Sequence, residues 1–164
     1  MNALISVTLA GLAAVFLTTN LPEGEQAKKD DAMQLGNFCI SLNVKDIKAS
    51  KAFYEKLDFK QTRGNVDQKW VVMMNGTTTI GLFQGMFDKN MLTFNPGWDW
   101  KKEPLKEFQD VREIQHTLKA RGIKLETEAD ETTDGPASFT LVDPDGNPIL
   151  VDQGVPKPKA TAKR

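Results

Sequence analysis

The chain contains one histidine, His116, and one cysteine, Cys39. A lone cysteine closes no internal disulfide, and with no CxxC pair there is no zinc ribbon. A single imidazole excludes any multi-histidine metal centre. Neither sign of charge dominates: 21 Lys and Arg stand against 22 Asp and Glu, a net charge of −1. Nothing electrostatic therefore recruits nucleic acid. Glycine (12) and proline (8) are too few for a fibrous chain. What remains is a chain of 164 residues that is 40% hydrophobic and 26% charged. That composition suits one folded domain, or two small repeated halves, and excludes wholesale disorder and a polytopic membrane protein.

The charges are unevenly placed. Residues 1–22 carry no Asp, Glu, Lys or Arg, and within them Ala3–Leu17 is a 15-residue apolar run. The run has the character of a secretory h-region, but the basic n-region is missing and Thr18-Thr19-Asn20 makes a poor cleavage site. A membrane span needs about 20 apolar residues, which the 22 uncharged residues could supply marginally. Export or membrane anchoring is the favoured expectation, with membrane contact through residues 3–17. An apolar helix packed on the domain of a cytoplasmic protein is the alternative. Lys28 and Lys29 follow the run, so an anchored chain would place its domain on the cytoplasmic side. No cysteine follows the run to carry a lipid. Residues 1–20 are thus expected to be a signal or anchor, 21–34 a polar linker and 35–153 the folded domain. Residues 154–164, with Lys157, Lys159, Lys163 and Arg164, are expected to form a basic, disordered tail.

Hydrophobic periodicity divides the domain. Phe38, Ile40, Leu42 and Val44 alternate with Cys39, Ser41 and Asn43, which predicts a strand with one apolar and one small, polar face. Asp46 is a helix N-cap, and Ile47, Ser50, Phe53, Tyr54 and Leu57 follow at helical spacing. Strands are predicted at 59–63, 69–74 and 77–84, the last two joined by Asn75-Gly76. The order then repeats. A strand at 91–94 precedes a helix starting at Pro104, whose stripe is Leu105, Phe108, Val111, Ile114 and Leu118 and whose C-cap is Gly122. Strands at 123–128, 138–142 and 148–152 follow, with Gly146 turning the last hairpin. The expected architecture is α+β: two βαβββ modules, about 37–84 and 91–152, whose paired curved mixed sheets pack on the helices and enclose a cleft.

The opening run L-x-V-x-D-x-x-x-S-x-x-F-Y-x-x-L-x-F is present as Leu42, Val44, Asp46, Ser50, Phe53, Tyr54, Leu57 and Phe59. The closing turn D-P-D-G-N is present as Asp143–Asn147. Together they resemble the vicinal oxygen chelate superfamily of glyoxalases, extradiol dioxygenases and bleomycin-resistance proteins, over Asn37–Asp152. The resemblance implies the glyoxalase/bleomycin-resistance/dioxygenase fold. One departure is Asp58, where the family usually has glycine; aspartate tolerates the left-handed conformation required. Family enzymes hold a divalent metal with four side chains from four strands, typically His or Gln, Glu, His and Glu. Matched through the motifs, these positions fall on Cys39, Gly81, Met91 and Leu150. None supplies an oxygen or imidazole ligand, so no metal and no other cofactor is expected. A register slip bringing Gln84 or Asp152 nearer would not rescue four positions.

Alternation places Cys39, Ser41, Asn43, Trp70, Val72, Met74, Thr79, Phe83, Met91, Thr93, Leu150 and Asp152 on the cleft face, with Trp98 and Trp100 at its rim. Ser41, Asn43, Trp70, Met74, Thr79, Phe83, Thr93, Trp98, Trp100 and Asp152 are the candidate ligand contacts. The two rim tryptophans suit a planar or cationic ligand. His116 lies off the apolar stripe and reads as solvent-exposed, Tyr54 as core, and Cys39 as a small buried thiol. Ser41 has no G-x-S-x-G setting and no histidine to activate it. Asp99 and Asp152 are weak candidates for a general base, and 126–134 reads as an exposed acidic loop. No catalytic residue is assigned. Three functions remain: a metal-free module binding a small, partly planar ligand; a lyase, isomerase or oxygenase of the glyoxalase type; and a structural or interaction protein with a filled cleft. Unpaired edge strands leave a homodimer open.

Overall fold

The computed structural model describes residues 32–159. The expected signal or anchor, nearly all of the linker and the last residues of the tail lie outside them. Among the described residues, no helix is long and apolar enough to cross a membrane.

The chain forms β1 (Asn37–Asn43), α1 (Ile47–Glu55), β2 (Lys60–Asn65), β3 (Trp70–Asn75), β4 (Thr78–Phe83), β5 (Met91–Asn95), α2 (Val111–Ala120), β6 (Ala137–Val142) and β7 (Pro148–Gln153). All seven strands lie in one sheet, in the order β2-β3-β4-β1-β5-β7-β6. β4 runs parallel to β1, and β7 parallel to β5. β1 and β5 are antiparallel, which joins the two modules. The two sheets expected are therefore one continuous sheet, because the first strand of each module pairs with its counterpart.

Local chemistry accounts for the elements of the first module. The Asp46 carboxylate accepts from the backbone N–H groups of Lys48 (2.9 Å) and Ala49 (3.1 Å), capping α1. Asp58 takes φ +62° just beyond the helix, where the family's glycine would sit. Ile47 of α1 packs against Val71, Met73, Ile80 and Leu82, with Tyr54 and Phe59 leaning on them. The second core gathers Val111 and Ile114 of α2 with Phe139, Val151 and Ala129. On the central strands these helix-facing residues alternate with those of the opposite face, as a sheet covered on one side requires.

The second helix begins six residues later than its apolar pattern suggests. Pro104 bridges to Trp98, and Leu105 N–H donates to the Gly97 carbonyl (2.8 Å), so 97–105 is a looped ribbon. Asp110 is the true cap, accepting from Arg112 N–H at 2.9 Å, while Val111 N–H donates to the Gln153 side chain at 2.7 Å. The strand expected at 123–128 does not form; Thr127 makes only an isolated bridge to Thr140. The following segment is tied to α2 by side chains instead. Gln115 bonds both the N–H and the carbonyl of Ala129, and Arg112 reaches the carbonyls of Asp130 and Gly135. The 126–134 stretch is exposed as expected at every residue but Ala129, through which it is anchored to α2. Nor is the chain free from Gly154 to Lys159. Val155 is buried, and Lys157 N–H donates to the Asp134 carbonyl at 2.8 Å. At the other end, Met33 and Leu35 pack on the second core.

The second module is held by a buried polar network. Asp110, Arg112 and Gln153 are each no more than 3% exposed. The Arg112 guanidinium meets Asp110 at 3.3 Å, Thr133 at 3.0 Å and two carbonyls, and Gln153 donates to Asp110 at 3.0 Å. Such a network is stabilising only while complete, since removing one partner strands a buried charge. The substitution Arg112→Met is expected to destabilise the domain by about 3–5 kcal/mol, read from the shift in denaturant midpoint. A shift below about 1 kcal/mol would mean that Asp110 finds another partner or water.

Candidate functional site

The sheet face turned away from the helices carries a cavity of about 400 Å³. Its floor is the seam between modules. Val72, Gly81, Ser41 and Met91 lie side by side across four strands, and Cys39, Thr93 and Leu150 form the next row. The four positions that the resemblance marks as metal ligands, Cys39, Gly81, Met91 and Leu150, all line this one space.

Gly81 has a specific steric role. A methyl group there would lie 2.5 Å from Cε2 of Phe83, so the Phe83 ring occupies the room a side chain at 81 would need. Phe83 packs in turn against Phe87, with ring centroids 5.2 Å apart. The hydroxyls of Ser41 and Thr93, both buried, bond each other at 2.7 Å and so satisfy one another without a ligand. Trp70 and Trp98 contribute further aromatic wall.

The polar groups gather at one end. A β-bulge between Gln61 and Arg63 shifts the β2 register, and Arg63 reaches across the cleft. Its guanidinium stacks 4.2 Å from the Trp98 ring centre and donates to the Lys102 carbonyl at 2.9 Å. Lys102 takes φ +64°, and its ammonium donates to Asn95 Oδ1 at 3.2 Å. Asn95 Nδ2 donates to the Asp152 carbonyl, also at 3.2 Å. Burial pushes the Lys102 ammonium below its ordinary pKa; Arg63 adds to this effect, while Cys39 and Asp152 oppose it. Burial likewise raises the Asp152 carboxyl and the Cys39 thiol, in both cases against the field of Lys102.

Of the residues expected to face a ligand, Ser41, Trp70, Phe83, Thr93, Trp98 and Asp152 line the cavity, and Val72 joins them. Asn43, Met74, Thr79 and Trp100 do not. Asn43 closes the loop after β4, bonding the Asp88 carbonyl and the Asn90 side chain. Met74 and Thr79 face each other at the far end of the β3–β4 hairpin, one row beyond the cavity. Trp100 is 49% exposed and its ring is met by Lys101. Asp99 caps its own loop by accepting from Glu103 N–H, and His116 sits in solvent beside Glu131. Arg63, Met86, Phe87, Lys102 and Gly154 line the cavity without having been anticipated, as does Asn95, expected only as the start of the rim segment. Asn95 was available by alternation from Met91 and Thr93. Lys102 and Arg63 were not, because a loop and a bulge break the period on which the reasoning rests.

The sequence profile of the glyoxalase/bleomycin resistance protein/dioxygenase superfamily matches residues 37–151, and the chain belongs to that superfamily. Among solved structures it is similar to NAD-dependent benzaldehyde dehydrogenase from Legionella pneumophila, at 19% identity and a TM-score of 0.53, over 71% of this chain and 97% of that one. It is also similar to a glyoxalase/bleomycin resistance protein/dioxygenase superfamily member from Vibrio splendidus 12B01, at 16% identity and a TM-score of 0.50, with the same coverages. Likeness at these identities speaks to the fold alone. No curated protein matches the chain.

A thiol that is 5% exposed and held protonated by burial reacts slowly. Iodoacetamide at neutral pH is expected to label Cys39 far more slowly in the native protein than in denaturant, followed by intact mass. Equal rates would place Cys39 in solvent.

Proposed function

We propose that the protein binds a small, partly planar organic ligand in this cavity without a metal. The observation that carries the reading is the cavity itself: about 400 Å³, walled by Trp70, Phe83, Phe87, Trp98 and Leu150, with Arg63, Lys102 and Asp152 as its charged groups. Small-molecule sites have this make-up, with apolar and aromatic walls for affinity and a few polar groups for orientation. The open space also favours binding over a purely structural role, which a filled cleft would have suited.

The donor set does not fit a divalent cation. A glycine and a leucine offer no ligand atom, a methionine thioether is too soft for Mg²⁺, Mn²⁺ or Fe²⁺, and one protonated thiol does not fix an ion. Among the described residues, no three His, Cys, Asp or Glu side chains gather about a common point. Phe83 further blocks the place of a ligand at position 81. Glyoxalase-type catalysis would have only the Lys102 and Arg63 cations against which to develop its charge.

Because Trp70 and Trp98 line the cavity, a planar ligand is expected to change tryptophan fluorescence saturably, and Trp98→Phe to reduce the amplitude of the change. A flat response across a broad set of planar compounds would overturn the binding reading. Elemental analysis of protein incubated with zinc, nickel, iron and manganese and then desalted is expected to find no stoichiometric metal. One retained ion per chain would overturn metal independence.

A further inference from the structure

Resting on the binding reading above, we propose that the ligand is an aromatic carboxylate of one or two rings, and that Lys102 is the residue that takes its carboxylate. Lys102 is a half-buried cation on the wall of an apolar cavity. Among the described residues its ammonium bonds only Asn95 Oδ1, and no carboxylate lies within ion-pair distance of it. An ammonium has three donors, so two are left to spend. A charge held out of water without an opposite partner is costly, and a bound anion removes that cost.

The surrounding charges point the same way. Arg63 sits at the cavity's opening, stacked on Trp98 and bonded to the Lys102 carbonyl, which adds a second cation beside the first. Asp152 is the cavity's one carboxylate among the described residues, and burial disfavours its charged form. A cationic ligand would meet two basic side chains, Arg63 and Lys102, against the single carboxylate of Asp152. An anionic ligand meets a free ammonium at the polar end, while Trp70 and Phe83 offer faces for its ring. The backbone keeps Lys102 in place. It adopts a left-handed conformation rare outside glycine, held by its own N–H bond to the Asp99 carbonyl (3.1 Å) and by Arg63 on its carbonyl.

The test uses the full chain and three probes of one shape in equilibrium dialysis: 2-naphthoate, 2-naphthamide and 2-naphthylmethylammonium. 2-Naphthoate is expected to bind about tenfold more tightly than the neutral amide, the scale of one hydrogen bond to a charged group, and the cation most weakly. Lys102→Met is expected to abolish the preference for acid over amide, and Lys101→Met, whose side chain lies over the exposed Trp100, to retain it. Amide binding by the Lys102→Met protein reports that its pocket is intact. Equal binding of acid and amide, or a preference that survives Lys102→Met, overturns the carboxylate assignment and leaves the binding reading standing. Failure of all three probes overturns both.

Discussion

The antiparallel pairing of β1 with β5 is the constraint on which this molecule depends. Each module is too small to enclose a cavity alone, and the pairing turns two curved half-sheets into one concave surface. It sets Cys39 against Thr93 and Ser41 against Met91, so the middle of the floor is built from both halves. Because side chains alternate along a strand, this register decides which residues of β1 and β5 meet the helices and which meet the cavity. A one-residue slip would put Phe38 and Ile40 in the cavity and Cys39 and Ser41 under the helices. The Ser41–Thr93 hydroxyl bond, buried at that seam, makes sense only in the observed register.

The two modules reach stability by different means. The first is held by an apolar cluster under a helix with a simple aspartate cap. The second lacks one strand of its expected repeat and adds to its apolar core a polar network of Asp110, Arg112, Gln115 and Gln153 that binds the start of α2, the 129–135 loop and the end of β7 together. A polar core of this kind has strict geometric demands, so it specifies one arrangement where apolar packing would tolerate several.

Much of this was legible in the sequence. The clean alternation of β1, the Asp46 cap, the Asn75-Gly76 hairpin and the Asp143–Asn147 turn each rest on local chemistry, and local chemistry survives folding unchanged. The second helix was misjudged at its start because Leu105 and Phe108 continue the apolar spacing of Val111 and Ile114. What stops the helix from including them is tertiary: the Trp98–Pro104 bridge and the capture of Val111 N–H by Gln153. In place of the expected strand, Glu126 and Thr127 make backbone bonds to Thr140 alone, and the chain is next held at Ala129 and Asp130 by the Gln115 and Arg112 side chains. In the site, strand residues were found by period. Arg63 and Lys102 were missed because a bulge and a loop decide where they point, and neither leaves a periodic trace.

The pairing of Gly81 with Phe83 makes the cavity's floor and its aromatic wall a single unit. A side chain added at 81 would meet the edge of the ring at once, and a smaller residue at 83 would leave a void beside a glycine. The two positions are therefore expected to vary as a couple, and the outline of the trough follows that couple rather than either residue.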